Sequence, residues 1–155
     1  MTRNVSVKVP ATTANMGPGF DCLSMALDIW NTVHVAEGPS GFVIRGEGED
    51  ELRRGRTNLV HKCFRLPFRE SGRQVPRVRI TCENDIPLGR GLGSSSAAVV
   101  AGLVAGNELC GRPLGLTDLL ELAARAEGHP DNVTPALLGG CQIVVAKRRR
   151  YWSCH

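Results

Sequence analysis

Positions 87–98 carry the sequence Pro87-Leu88-Gly89-Arg90-Gly91-Leu92-Gly93-Ser94-Ser95-Ser96-Ala97-Ala98. Its three glycines permit positive φ angles and a close approach of the backbone to a ligand. We expect a loop over 87–96 that runs directly into a helix over 97–109. The exposed amides and the positive dipole end of that helix would then face a bound anion. The segment therefore predicts a phosphate-binding loop, with serine hydroxyls available to phosphate oxygens or Mg²⁺.

Two common phosphate-binding motifs do not fit this loop. No Lys-Ser/Thr pair follows the last glycine, so it is not a Walker P-loop. The Gly89-x-Gly91-x-Gly93 spacing also differs from the G-x-G-x-x-G fingerprint of dinucleotide-binding folds. The remaining alternative is a Gly/Ser-rich loop that only caps a core helix.

Hydrophobic periodicity predicts strands and helices on both sides of this loop. The predicted strands are 5–9 (ended by Pro10), 32–35, 42–44, 78–82 and 141–146, with 22–30 either a strand or a short helix. The predicted helices are 59–70 (starting at Thr57-Asn58), 97–109 and 119–127 (capped by Thr117-Asp118), and 11–21 and 130–140 are predicted to be loops. Gly102 and Gly106 should allow another helix to approach closely, and Gly111 suits a helix C-cap. This order predicts an α+β domain with a mixed sheet and helices packed on one face.

Composition narrows the class of protein. The 155 residues carry a net charge of +4, and four positive charges come from Lys147 and the arginines at 148–150 alone. Aromatic residues make up only 5% of the chain, so we expect no nucleic-acid face.

No apolar run approaches the roughly 20 residues of a membrane span, and the start does not resemble a signal peptide, so we expect a cytoplasmic protein without membrane contact. The six cysteines form no C-x-x-C pair, which makes a zinc site unlikely and favours small buried side chains.

The pattern Pro87-x-x-x-Gly91-Leu92-Gly93-Ser94-Ser95 resembles the second signature of the GHMP kinase superfamily. The resemblance implies a ribosomal protein S5 domain 2-like fold and a loop that binds the phosphates of ATP. Two further segments, 7–21 and 127–140, resemble the homoserine kinases within that superfamily. The implied reaction is phosphorylation of the L-homoserine hydroxyl by ATP with Mg²⁺, a step of threonine biosynthesis.

The resemblance assigns roles residue by residue. The ATP-binding residues would be Pro87, Leu88, Gly89, Arg90, Gly91, Leu92, Gly93, Ser94, Ser95, Ser96 and Ala97, with Asn58 near the adenine ring. Asn15, Asp21, His129 and Asp131 would bind homoserine. Ser95 and Glu127 would hold Mg²⁺, although Ser94 and Ser96 stay open as alternatives to Ser95. Glu127 and Asn132 would be the catalytic residues, with Asn132 orienting the hydroxyl and its proton passing directly to the phosphate.

Each of these assignments has a plainer structural alternative. Asn15 and Asp21 are residue types that favour turns in a Gly-rich loop. A single histidine is more often structural, which is how we interpret His34, His61 and His155. The resemblance makes the functional interpretation the favoured one for Asn15, Asp21 and His129.

The resemblance extends from about residue 5 to residue 146, so we assign 1–146 to a GHMP kinase N-terminal domain. The tail at 147–155 does not resemble the family, whose members are longer and carry a second domain. We therefore expect a truncated or frameshifted end and weak or no kinase activity from this polypeptide alone. A homodimer is possible for the full-length protein.

Two other functions stay open. One is a GHMP kinase for a different small alcohol, against which the segment at 15–21 argues. The other is a non-catalytic anion- or nucleic-acid-binding module, which the basic tail would favour.

Overall fold

The computed structural model describes residues 3–147 and 150–154, and the side chains of residues 3–145. The strands are β1 (Asn4–Ala14), β2 (Leu23–Glu37), β3 (Gly41–Gly46), β4 (Val78–Asn84), β5 (Cys141–Lys147) and β6 (Arg150–Cys154). The helices are α1 (Leu59–Phe64), α2 (Leu66–Glu70), α3 (Ser94–Leu109), α4 (Leu116–Glu127) and α5 (Val133–Leu138), and a 3₁₀ turn at Gly55–Thr57 precedes α1.

All strands belong to one mixed sheet in the order β3-β4-β2-β5-β6, with β1 paired to β2 off this path. The long strand β2 pairs antiparallel with β1, and it also pairs antiparallel with β4 near its end and with β5 near its start. The pair β3–β4 is parallel. The predicted α+β class and mixed sheet are confirmed.

One face of the sheet is buried under helices. On β1, Val7 and Val9 are buried whereas Ser6 and Lys8 are exposed, as strand alternation requires. The helices α3 and α5 pack against β1 and β2 on the buried face. The predicted placement of the helices on one face is therefore confirmed.

The core is built around α3, which the sheet, α1, α4 and α5 enclose. A Cβ atom added at Gly102 would lie 2.4 Å from the carbonyl oxygen of Val60, and one at Gly106 would lie 2.2 Å from that of Phe64. Only glycine lets α1 come this close, so the predicted role of the two glycines is confirmed. Gly111 follows the helix with a φ of 85°, as predicted for a C-cap glycine.

Several predicted boundaries are wrong. β1 does not end at Pro10 but continues to Ala14 across an irregularity in register between Pro10 and Ala11, where the missing N–H of proline does no harm. Of the two alternatives for 22–30, the strand is confirmed, but it is not separate from 32–35, because both belong to the continuous strand β2. α2 is separated from α1 at Arg65, and Pro67 lies at the start of α2.

The helix boundaries also differ. α3 begins at Ser94, so the three serines lie in its first turn rather than in the loop. α4 begins at Leu116, and the Asp118 carboxylate accepts a hydrogen bond of 3.0 Å from the backbone N–H of Gly115, which is the N-cap residue. The segment 130–140 contains the short helix α5, which its two prolines and two glycines concealed.

Three of the cysteines are buried, as predicted: Cys63, Cys82 and Cys110. Burial raises the pKa of Cys63 and Cys82 to about 12. Cys22 is half-buried, and Cys141 is exposed, contrary to the prediction.

The tail at 147–155 is described in part. Residues 150–154 form β6, which pairs antiparallel with β5 from Lys147↔Arg150 to Ile143↔Cys154. We did not predict this strand, and residues 148, 149 and 155 lie outside the described part of the chain. Within the described residues, no helix combines the length and apolar character needed to cross a bilayer.

Candidate functional site

The glycine-rich loop before α3 has the backbone conformation that its sequence predicts. Gly89, Gly91 and Gly93 have φ angles of 65°, 70° and 66°, in the left-handed region. Gly93 is the N-cap residue of α3, and a Cβ atom at this position would lie 1.9 Å from the Thr12 hydroxyl oxygen. The loop therefore needs glycine both for its dihedral angles and for its contact with β1.

The amides at the end of this loop have no hydrogen-bond acceptor in the part of the chain that the structure describes. The backbone N–H groups of residues 91–96 donate to no acceptor among the described residues, whereas that of Ala97 donates to the carbonyl of Gly93 at 2.8 Å. On the opposite side of the loop, the Leu92 carbonyl accepts from the Thr12 N–H at 3.0 Å. A row of unpaired N–H groups at the N-terminus of a 16-residue helix is an anion-binding arrangement.

Two buried polar side chains anchor the loop, and we did not predict either as a site residue. The Thr12 hydroxyl donates to Oδ1 of Asn132 at 2.8 Å. Oδ1 of Asn31, on β2, accepts from the N–H groups of Asp85 and Ile86 at 2.9 and 3.0 Å, just before the loop begins. Thr12 lies within the segment whose resemblance we noted. No sequence pattern singles out Asn31, because β2 carries several other polar residues, among them Asp28, Thr32 and His34.

Glu127, at the end of α4, lies against the first turn of α3. Its Oε1 accepts from the Ser95 hydroxyl at 2.5 Å and from the Ser96 hydroxyl at 3.1 Å. These predicted metal ligands therefore come together, and Ser96 joins them. Mg²⁺ prefers oxygen ligands and usually takes only one or two carboxylates plus substrate phosphates. The carboxylate of Glu127 and the hydroxyl of Ser95 are oxygen ligands of this kind, and the free backbone amides beside them suit the substrate phosphates.

A cleft of about 650 Å³ opens in front of the loop and α3. All the predicted ATP-binding residues line it, from Pro87 to Ala97 together with Asn58. Glu127, His129 and Asn132 line it as well, and the basic residues Arg53 and Arg90 lie on its wall. The structure therefore brings most of the predicted site residues together around one cavity of ligand-binding size.

Asn58 has a structural role within this cleft. Its Oδ1 accepts from the Val60 N–H at 2.9 Å and caps α1, while its amide nitrogen donates to the Arg53 carbonyl at 2.7 Å. Asn58 is buried, and both ends of its side chain are engaged. It therefore shapes the cleft wall, and its predicted contact with adenine remains a prediction.

His129, Asp131 and Asn132 form one connected turn between α4 and α5. Oδ1 of Asp131 accepts from the Asn132 N–H at 2.8 Å and makes a short contact with Nδ1 of His129. Asp131 is only 2% exposed and does not line the cleft, whereas His129 and Asn132 do. This geometry makes Asp131 the residue that orients His129. Its contact with a substrate remains a prediction.

Asn15 and Asp21 lie on the loop between β1 and β2, away from the lining of the cleft. Both are exposed and have positive φ angles of 59° and 57°. The Asp21 N–H donates to Oδ1 of Asn15 at 2.7 Å, which fixes the loop. Asn15 follows the loop anchor Thr12 by three residues, so at about 3.3 Å per residue it lies within roughly 10 Å of it. The predicted role of both residues with homoserine stays a prediction.

Comparison with known proteins identifies the arrangement. Residues 58–140, which include the glycine-rich loop, α3, α4 and α5, match the family described as GHMP kinases N terminal domain. The homoserine kinase of Synechococcus sp. is 45% identical over 152 residues, which are 96% of this chain and 50% of that protein. The homoserine kinase of Moorella thermoacetica is 47% identical over 135 residues, covering 86% of this chain and 46% of that protein.

A solved structure gives the same result for the fold. The crystal structure of homoserine kinase from Cytophaga hutchinsonii superposes with a TM-score of 0.83 at 31% identity, over 97% of this chain and 51% of that one. The chain thus spans about half the length of the proteins that it matches.

Proposed function

Because the chain belongs to the GHMP kinase family, we propose that it forms the nucleotide-binding part of an ATP-dependent kinase that phosphorylates the hydroxyl of L-homoserine. The observation that carries the kinase assignment is the set of unpaired N–H groups of residues 91–96 on the wall of the cleft. The choice of homoserine is supported by relatives of 42–47% identity that are named homoserine kinases.

The loop supplies electrostatic stabilisation and positioning, which phosphoryl transfer mainly requires. The amides of residues 91–96 would donate to the phosphate oxygens of ATP, and the dipole of α3 would add favourable potential. Ser95 and Glu127 would hold Mg²⁺, which when bound neutralises phosphate charge. Thr12 and Asn31 keep the loop in place, so that little reorganisation accompanies binding.

Asn132 is the residue best placed to orient the substrate hydroxyl. Its Oδ1 is occupied by Thr12, and among the described residues its amide NH₂ group has no acceptor. That NH₂ group would therefore donate to the hydroxyl oxygen and aim it at the γ-phosphorus. The hydroxyl proton would pass to the phosphate, because we assign no strong general base. His129, held by Asp131, and the Asn15–Asp21 loop would bind the amino and carboxylate groups of homoserine.

The nucleotide site can be tested by isothermal titration calorimetry with ADP, with and without Mg²⁺. Glu127→Gln should lower the affinity for ADP in Mg²⁺ by about tenfold, corresponding to about 1.4 kcal/mol, and have a much smaller effect in EDTA. Glu121→Gln, on the same helix, is the matched control and should bind as the wild type. Absence of ADP binding in the wild-type chain would contradict the kinase assignment.

The substrate is tested separately with L-homoserine, mevalonate and galactose. We expect homoserine alone of the three to bind in the presence of a non-hydrolysable ATP analogue, as followed by ligand-observed NMR. Asp21→Ala should weaken the binding of homoserine far more than the binding of the nucleotide. Equal weakening of both, or preferred binding of mevalonate or galactose, would reject homoserine and leave the nucleotide site intact. The proposed location of the protein is the cytoplasm.

A further inference from the structure

A second cavity, of about 390 Å³, lies at the other end of strands β3 and β4. Gly41 and Phe42 at the start of β3 and Val78 at the start of β4 line it, whereas Ile44 and Asn84 further along these parallel strands line the nucleotide cleft. The two cavities therefore lie at opposite ends of one strand pair. We refer to the second as the arginine cavity, after the residues described next.

Three exposed arginines line the arginine cavity: Arg56, Arg65 and Arg77. The described residues that line it include no Asp or Glu. Among the described residues, none of the three guanidinium groups has a hydrogen-bond acceptor or an ion-pair partner, although other arginines of the chain do, such as Arg3 and Arg112. Positive charges gathered without a counter-charge repel one another, and a bound anion would relieve this repulsion.

His61 on α1 provides a reporter for the arginine cavity. It lines the arginine cavity, and its Nδ1 atom is buried without a hydrogen-bond partner among the described residues. Burial, together with the charges of Arg65 and Arg56, lowers the pKa of His61.

We propose that the arginine cavity binds a small organic phosphate, with its phosphate group among Arg56, Arg65 and Arg77 and its carbon body against Phe42 and Val78. Guanidinium groups match phosphate oxygens in pairs, and a dianion offsets most of the positive charge of three arginines, whereas one carboxylate offsets only a third of it. The volume lies in the range of small-molecule pockets and exceeds that of a bare phosphate, so the apolar wall has a ligand body to contact.

Phenyl phosphate is a suitable probe, with inorganic phosphate and benzoate as comparison ligands. His61 provides the readout, because its imidazole signals in NMR report on this cavity and not on the glycine-rich loop. We expect phenyl phosphate to shift the His61 signals saturably. Burial lowers the pKa of His61 most, and the charges of Arg65 and Arg56 lower it further, so an anion that offsets these two charges should raise the pKa part of the way. Inorganic phosphate and benzoate should bind more weakly.

The variant Arg56→Gln/Arg65→Gln should lower the affinity for phenyl phosphate by about tenfold or more for each guanidinium removed. Arg125→Gln on α4, which removes one exposed charge far from the cavity, is the control and should change the affinity by less than about twofold. Arg77→Gln provides an independent variant if the double variant does not fold. Unshifted His61 signals, unchanged affinity in the arginine variants, or binding of benzoate as tight as that of phenyl phosphate would each overturn the proposal.

Discussion

Gly93 is the position where the glycine-rich loop leaves least room for a side chain. Its φ of 66° is unfavourable for any other L-residue, and a Cβ atom would lie 1.9 Å from the hydroxyl oxygen of the buried Thr12. Gly91, two residues earlier, has nearly the same φ of 70° but no atom within 4 Å of the corresponding Cβ position. Gly93→Ala and Gly91→Ala therefore differ mainly in steric overlap.

The expected losses of stability follow from the left-handed backbone conformation and from the steric overlap. The left-handed conformation costs a non-glycine residue about 1–2 kcal/mol, and this applies to both variants. Overpacking against a buried side chain adds about 1–3 kcal/mol, and this applies to Gly93→Ala alone. We therefore expect Gly91→Ala to lower the free energy of unfolding by about 1–2 kcal/mol and Gly93→Ala by about 2–5 kcal/mol.

Urea unfolding followed by circular dichroism measures these differences directly. The double variant Thr12→Ala/Gly93→Ala should be more stable than the sum of the single effects predicts, by about 1 kcal/mol or more, because alanine at position 12 removes the overlapping oxygen. Equal destabilisation by Gly91→Ala and Gly93→Ala would refute the steric argument. Strict additivity of Thr12→Ala and Gly93→Ala would refute it as well.

Three further predictions concern other parts of the fold. Gly106→Ala should destabilise the protein by about 1–3 kcal/mol in the same urea assay, since the added Cβ would lie 2.2 Å from a carbonyl oxygen at the end of α1; an effect below the error of the assay would contradict the close packing. Asp118→Ala should cost about 0.5–2 kcal/mol by leaving the N–H of Gly115 without its acceptor, and Glu121→Ala serves as the control for helix propensity. Cys82, with a pKa raised to about 12, should resist a thiol reagent at pH 8 while the exposed Cys141 reacts. The contribution of the protonated Cys82 thiol to stability should be present below pH 9 and be lost as the pH rises toward 12. Modification of Cys82 at the rate of Cys141 in the folded protein would contradict the burial of Cys82.

The sequence predicted best those features that depend on a few consecutive residues. The glycines of the loop were predicted because positive φ angles favour this residue type, and the structure has the loop over 87–93, three residues shorter than predicted. Gly102 and Gly106 were recognised because their spacing places both on one face of α3. Alternation along β1 and β4 likewise identified the strands, since one face is buried and the other is not.

The boundaries that were wrong depend on distant parts of the chain. Pro10 normally ends a strand, but β1 continues because β2 pairs with it on both sides of the irregularity. α5 has only six residues and contains Pro135, so its stability comes from packing against α3, α4 and β1 rather than from its own sequence.

The same reason explains which site residues were missed. Thr12 was missed because its partner Asn132 lies 120 positions away in the sequence, and Asn31 was missed because it binds residues more than 50 positions away. No local pattern reports such contacts. The resemblance assigned Asp131 to the substrate, which stays a prediction, and only the structure shows that Asp131 is buried and bonded to His129.

The central claim is that the free amides at 91–96 hold the phosphates of a nucleotide. Two-dimensional ¹H–¹⁵N NMR of the chain, titrated with a non-hydrolysable ATP analogue and Mg²⁺, tests this claim most directly. We predict the largest amide shifts at Gly91, Gly93, Ser94, Ser95 and Ser96, saturating together with those of residues bordering the cleft. Saturable nucleotide binding that leaves these five amides unshifted would contradict the account.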